Sequence, residues 1–167
     1  MNKKVERNYL EISCLEDLKD SSNLSNHYSI NFVNPVDFQL NKFFYKNIGK
    51  RHHWVDRLVW GEKQWQDYVS DKKVKTYVLK DKNELAGYFE LILHTDKNEV
   101  EIAYLGLLEE YQNKKLGSYL LSAAIKNSFK EKPKRVWVHT CSLDHKNALN
   151  NYIARGMKVF KTETVLI

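Results

Sequence analysis

A chain of 167 residues, 43% of them apolar and 29% charged, has the length of one domain and enough apolar side chains for a real core, which excludes a disordered or fibrous protein. No apolar run approaches the roughly 20 residues of a membrane-spanning helix, so no membrane partner is expected. The formal charge of +6 suits an anionic ligand, but the basic residues are scattered in small clusters and no recognition-helix or zinc-finger signature accompanies them, which argues against nucleic acid.

The opening stretch, MNKKVERNYLEIS, has no apolar segment of the kind a signal peptide needs. Cys14 and Cys141 match neither a disulfide framework nor a metal spacing, so the expected compartment is the reducing cytoplasm.

In chain order, a strand is expected near Tyr9–Ser13, a polar loop over Asp20–Asn26 and a second strand at Tyr28–Val33. Asn34-Pro35 breaks that strand. Val36, Leu40, Phe43, Phe44 and Ile48 then follow helical spacing, predicting a helix over Val36–Asn47 with Gly49 at its stop. A second helix is expected over Glu62–Val69. Strands at Lys75–Leu79 and Ala86–Leu93 flank Asp81-Lys82-Asn83-Glu84, which suits an antiparallel hairpin with a loop of four or more residues. Asp96-Lys97-Asn98 turns the chain into a strand at Val100–Leu107.

The next helix presents Leu116, Leu120, Leu121, Ala124, Ile125 and Phe129 on one face and is ended by Pro133. Arg135–Cys141 alternates like a strand. A last helix is expected from about His145 to Arg155, with Asp144 or Ser142 as N-cap and Gly156 at the stop, before a strand-like tail at Val159–Ile167. Hairpins followed by strand–helix–strand–helix–strand predict a mixed α/β sheet with helices packed on it.

The stretch Glu101 to Leu121 stands out. An apolar strand, a short turn carrying Gln112, Asn113, Lys114, Lys115 and Gly117, and a helix N-terminus follow one another. Unpaired backbone N–H groups and the positive end of the helix dipole converge in such a turn, which makes it a cradle for phosphate or pyrophosphate.

That cradle resembles the pyrophosphate loop of the GNAT superfamily of acyl-CoA-dependent N-acetyltransferases, Q/R-x-x-G-x-G/A, here Gln112-Asn113-Lys114-Lys115-Leu116-Gly117. The family's preceding L-x-V-x-P-x-Y corresponds to Leu105-Gly106-Leu107-Leu108-Glu109-Glu110-Tyr111. Its downstream N-x-x-A-x-x-L-Y-x-x-x-G-F corresponds to His145 through Met157, with Ala148, Tyr152 and Gly156 in place. Among the departures from these patterns, Lys115 replaces the first glycine, His145 an asparagine and Met157 an aromatic. The resemblance implies a splayed central sheet flanked by helices, an acetyl-CoA co-substrate and no metal. It divides the chain into an N-terminal strand and loop extension over residues 1–27 and a GNAT-like domain over residues 28–167.

For the cofactor it implies backbone contacts at Leu105 and Leu107, and a phosphate and pantetheine site made by Gln112, Asn113, Lys114, Lys115, Leu116, Gly117, Ser118, His145, Asn147 and Tyr152. Tyr152 is also the implied acid, since a phenol is protonated at neutral pH and can protonate a departing thiolate. Two carboxylates compete as base. Glu101 shares a face with Ala103 and Leu105 if the strand alternates regularly, and Glu90 sits among apolar residues in the neighbouring strand.

His139 and Cys141 point the same way from one strand and are read either as packing or as the acceptor wall. Trp54 and Trp60, in an aromatic-rich loop, are candidates for holding a cationic or aromatic acceptor. The expected function is direct transfer of an acetyl group to a primary amine of a small molecule or peptide by a monomer or homodimer. The alternative is a non-catalytic acyl-CoA-binding module.

Overall fold

The computed structural model describes residues 2–21, 25–112 and 114–167. The chain runs β1 (Lys4–Ile12), β2 (Tyr28–Phe32), α1 (Phe38–Gly49), α2 (Glu62–Ser70), β3 (Val74–Asp81), β4 (Glu84–His94), β5 (Glu99–Leu107), α3 (Leu116–Phe129), β6 (Arg135–Cys141), α4 (Ala148–Ala154) and β7 (Lys158–Leu166). The seven strands form one sheet in the order β2-β3-β4-β5-β6-β1-β7. Every pairing is antiparallel except β5 with β6. This is the mixed α/β sheet with flanking helices that the order of elements predicts.

The expected helices and strands are present, and their ends differ for identifiable reasons. Helix α1 starts at Phe38 because the Asp37 carboxylate accepts a hydrogen bond from the Gln39 N–H at 3.0 Å. Helix α3 ends at Phe129, and Lys132 turns at a φ of 53° before Pro133 is reached. The β3–β4 turn is tighter than the four or more residues expected: Asp81 pairs with Glu84, so only Lys82 and Asn83 lie outside the ladder.

Helix α4 begins at Ala148 rather than near His145, with Asn147 as N-cap. Neither Asp144 nor Ser142 caps it. The Asp144 carboxylate is engaged by the Thr140 hydroxyl and by the Cys141 N–H at 3.0 Å, which fixes the corner after β6.

Strand β1 lies between β6 and β7, antiparallel to both, and its Val5, Leu10 and Ile12 are buried in the core. The ladder with β7 is closed by Lys3 N–H to Ile167 C=O at 2.8 Å and by Ile167 N–H to Lys3 C=O at 3.0 Å.

A bulge in β5 decides which side chains face the site. Glu90 pairs with Tyr104 and Leu91 with Ile102, leaving Ala103 as the extra residue. Regular alternation therefore fails. Glu101 shares its face with Tyr104, Gly106, Tyr88 and Glu90, not with Leu105. Helix α1 packs on this face: Phe44 stacks on Tyr88 with ring centroids 4.8 Å apart. A Cβ at Gly106 would stand 2.7 Å from Ile48 Cγ2, so the glycine permits the close approach of α1. Leu116, Leu120, Leu121, Ala124 and Ile125 of α3 are buried against the opposite face.

Candidate active site

Strands β5 and β6 are paired only where Glu99, Val100 and Glu101 meet Arg135, Val136 and Trp137. Beyond Glu101 they diverge, and a cleft of about 940 Å³ opens between them. At one end it is lined by Gln112, Lys115, Gly117 and Ser118. Leu105, Leu107, Trp54, His145, Asn147 and Tyr152 line it where the strands diverge, and Glu101, His139 and Cys141 line it along the side of β6 that faces β1 and β7 residues such as Arg7. Most of the residues expected from sequence thus share one cavity.

At the first end, Lys115 is the N-cap of α3 and adopts φ 62°, ψ 15°, the left-handed conformation that a glycine enters freely. No side chain caps the helix. The Ser118 hydroxyl donates to the Lys115 carbonyl at 3.1 Å and lies 3.0 Å from the Ser21 hydroxyl. The first-turn N–H groups, the dipole and the lysine charge are therefore available to an anion. Leu116 is buried beneath the turn, and the Lys114 ammonium lies over the Tyr111 ring at 5.4 Å; neither lines the cleft. Asn113 lies outside the described residues.

In the middle, Tyr152 is 7% exposed. Burial first, and the Asp144 charge second, push its phenol well above the ordinary value, so it is held protonated. Burial, with the charges of His52 and Lys146, lowers His145. The His145 Nδ1 accepts from the Asn147 N–H at 3.1 Å.

At the far end, the Glu101 carboxylate is 2.9 Å from His94 Nε2. Across the sheet, the Glu101–Trp137–Glu11, His139–Tyr9–Lys161 and Cys141–Arg7–Glu163 rows all point to the same side. The His139 ring lies 5.5 Å from Tyr9 and 6.5 Å from Trp137. His139 keeps an exposed edge, yet the surrounding walls desolvate it and Arg7 adds a positive charge, so its imidazole is lowered. Trp54 packs against Tyr104 at 4.8 Å and Tyr45 at 5.7 Å, hanging the loop after α1 over the cleft.

Glu90 and Trp60 stand apart from the cavity. Glu90 is fully buried beneath α1 and α2. Its Oε1 accepts from Asn41 Nδ2 at 2.8 Å, and its Oε2 from Arg57 Nη1 and the Tyr68 hydroxyl, each at 2.9 Å. The Arg57 guanidinium lies 4.2 Å from the Tyr68 ring centroid, 4.3 Å from that of Tyr104 and 4.9 Å from that of Trp60. Trp60 does meet a cation, but the cation is the protein's own arginine.

Sequence reasoning missed Arg7, His94, Tyr104 and Arg57. Arg7 reaches the cleft through the position of β1 in the sheet, and Tyr104 shares the Glu101 face through the bulge at Ala103. Neither leaves a local signal. The apposition of His94 and Glu101 was readable from the Asp96–Asn98 turn, which folds the two strands back on each other.

The chain matches the model of the Acetyltransferase (GNAT) family over residues 39–157. No curated protein sequence matches it. Among solved structures it is similar to a functionally unknown conserved protein of Staphylococcus epidermidis, at 16% identity and a TM-score of 0.67, covering 99% of this chain and 62% of that one. It is similar to a GCN5-related N-acetyltransferase of Kribbella flavida at 13% identity and a TM-score of 0.69, covering 96% and 57%. It is also similar to an aminoglycoside acetyltransferase from an uncultured soil metagenomic sample, at 14% identity and a TM-score of 0.66, covering 80% and 90%. The chain thus spans less than two thirds of the length of the first two. At these identities the likeness is one of fold.

Proposed function

Because this chain belongs to the GNAT acetyltransferase family, we propose that its cleft aligns acetyl-CoA with a primary amine and that the acetyl group passes directly between them. The observation that carries this reading is the continuous cavity from the uncapped N-terminus of α3, through the divergence of β5 and β6, to the carboxylate of Glu101. A pyrophosphate fits the first end, where Gln112, Lys115, Gly117 and Ser118 offer backbone N–H groups and the Lys115 ammonium. Among the described residues the edge of β5 at Leu105 to Leu107 has no partner strand on the β6 side, which leaves its backbone free to bind an amide-bearing arm.

Acetyl-CoA supplies the activated thioester; the chain supplies alignment and proton transfer. Glu101, supported by His94, takes the proton that the attacking amine must lose. Tyr152, kept protonated by burial, gives its proton to the departing thiolate and regains one through solvent as Glu101 releases the proton taken from the amine, so both groups are reset. Glu90 is assigned to the fold, because each of its oxygens is already engaged by Asn41, Arg57 or Tyr68.

Calorimetric titration with acetyl-CoA is expected to show binding. Release of free CoA thiol across a panel of primary amines is expected to show turnover. No binding at millimolar acetyl-CoA would overturn the cleft assignment, and binding without thiol release from any amine would leave a binding module in place of an enzyme.

A further inference from the structure

The acceptor end of the cleft contains a positive charge that acetyl transfer to an amine does not use. Among the described residues lining the cavity, Arg7, Arg57 and Lys115 carry a permanent positive charge. Lys115 sits at the α3 end, and Arg57 is held by Glu90 at 2.9 Å. Arg7 is different. Its closest carboxylate, Glu163, is 3.9 Å away, beyond hydrogen-bond reach. Glu163 Oε1 instead accepts from the Tyr9 hydroxyl at 2.7 Å, and its Oε2 lies 3.5 Å from Lys161 Nζ. Among the described residues the buried Arg7 Nε has no hydrogen-bond partner.

A guanidinium with five donors and little to bind is placed for an anionic group. Its row on the sheet, beside Cys141 and one row beyond His139, puts it on the same side as Glu101. On β6, His139 lies two residues from Trp137, the partner of Glu101, and two from Cys141, the partner of Arg7, so it stands between the two rows.

We propose that the acceptor is an amine that also carries a carboxylate, with Arg7 holding the carboxylate while Glu101 receives the amine. This rests on the acetyl-transfer reading and adds the substrate class to it. The spacing refines the class further. Four residues along β6 and two strand intervals separate the Arg7 and Glu101 backbones by roughly 16 Å, taking about 3.3 Å per residue and about 4.8 Å between strands. The Glu101 carboxylate meets His94 of β4 and the Arg7 guanidinium lies nearest Glu163 of β7, so the side chains do not close that gap. The amine and carboxylate therefore stand several bonds apart, as in an ω-amino acid or at the two ends of a short peptide, and not on one carbon.

The test compares 4-aminobutyrate and 6-aminohexanoate with butylamine and hexylamine, by CoA thiol release and by calorimetry on the CoA-loaded protein. At least one amino acid is expected to exceed its alkylamine by about ten- to hundredfold in kcat/KM, the scale of a charge-assisted pair, with the difference residing in KM. Arg7→Met is expected to bring that ratio close to one, and Arg7→Lys to restore part of it. Circular dichroism checks that both variants fold.

Equal handling of acids and alkylamines by the unaltered protein, or a preference that survives Arg7→Met, overturns the proposal. A protein that releases no CoA overturns acetyl transfer, and the calorimetric comparison, which needs no turnover, still decides the role of Arg7.

Discussion

One face of the sheet contains two regions built from the same materials and put to different ends. Beneath α1 and α2, Glu90 and Arg57 are enclosed by Tyr45, Trp60, Trp65, Tyr68 and Tyr104. On the next strand Glu101, and two strands further on Arg7, line the open cleft with His139, beside Tyr9 and Trp137. In both, a carboxylate and an arginine sit among aromatic rings. Where the face is roofed, the charges meet, lose their water and become part of the core. Where it is open, they stay apart and line a cavity. Coverage, more than residue type, separates a structural ion pair from a recognition site.

Breaking the roofed pair is expected to give the largest effect. Arg57→Ala leaves the Glu90 carboxylate buried without its cation, and removing one partner of such a pair typically costs about 3–5 kcal/mol. Urea denaturation is expected to register that loss. A stability within about 1 kcal/mol of the unaltered protein would show that α1 and α2 do not enclose the pair as described.

The open carboxylate is expected to behave the opposite way. Glu101→Gln keeps size and hydrogen bonding to His94 but cannot take a proton; kcat is expected to fall about a hundredfold, with an unfolding midpoint close to that of the unaltered protein. Turnover that survives the change would remove Glu101 from the chemistry and equalise the two carboxylates.

The smallest expected effect tests the far end of the cleft. Lys115→Gly relieves a left-handed lysine and removes an ammonium, so stability is expected to rise by about 0.5 kcal/mol. Acetyl-CoA affinity, measured by calorimetry, is expected to fall several-fold. Unchanged affinity would show that the backbone alone suffices there.

The order of strands and helices was legible because each has its own apolar period and its own punctuation. The strand, turn and helix start from Glu101 to Leu121 were legible because they are made by neighbours in sequence. What escaped depends on pairing across the sheet. Nothing local to Ala103 announces a bulge, yet that one residue moves Glu101 from the face of Leu105 to the face of Tyr104. Asp144 looked like a helix cap until its carboxylate was found bound to Thr140 and Cys141 at the end of β6. Arg7 was invisible for a larger reason: its neighbours in space are Cys141 and Glu163, far along the chain.

The position of β1 has a consequence for how the protein is made. A ribosome releases β1 early, but the slot it fills exists only once β6 and β7 have both emerged. Until then the strand has no ladder, its Val5, Leu10 and Ile12 lack the core that later buries them, and the inner edge of β6 is open to other chains. Such long-range pairing slows folding. The end of the cleft lined by Arg7 therefore cannot be completed before β6 and β7 have emerged, whereas the turn before α3 is made by neighbours in sequence.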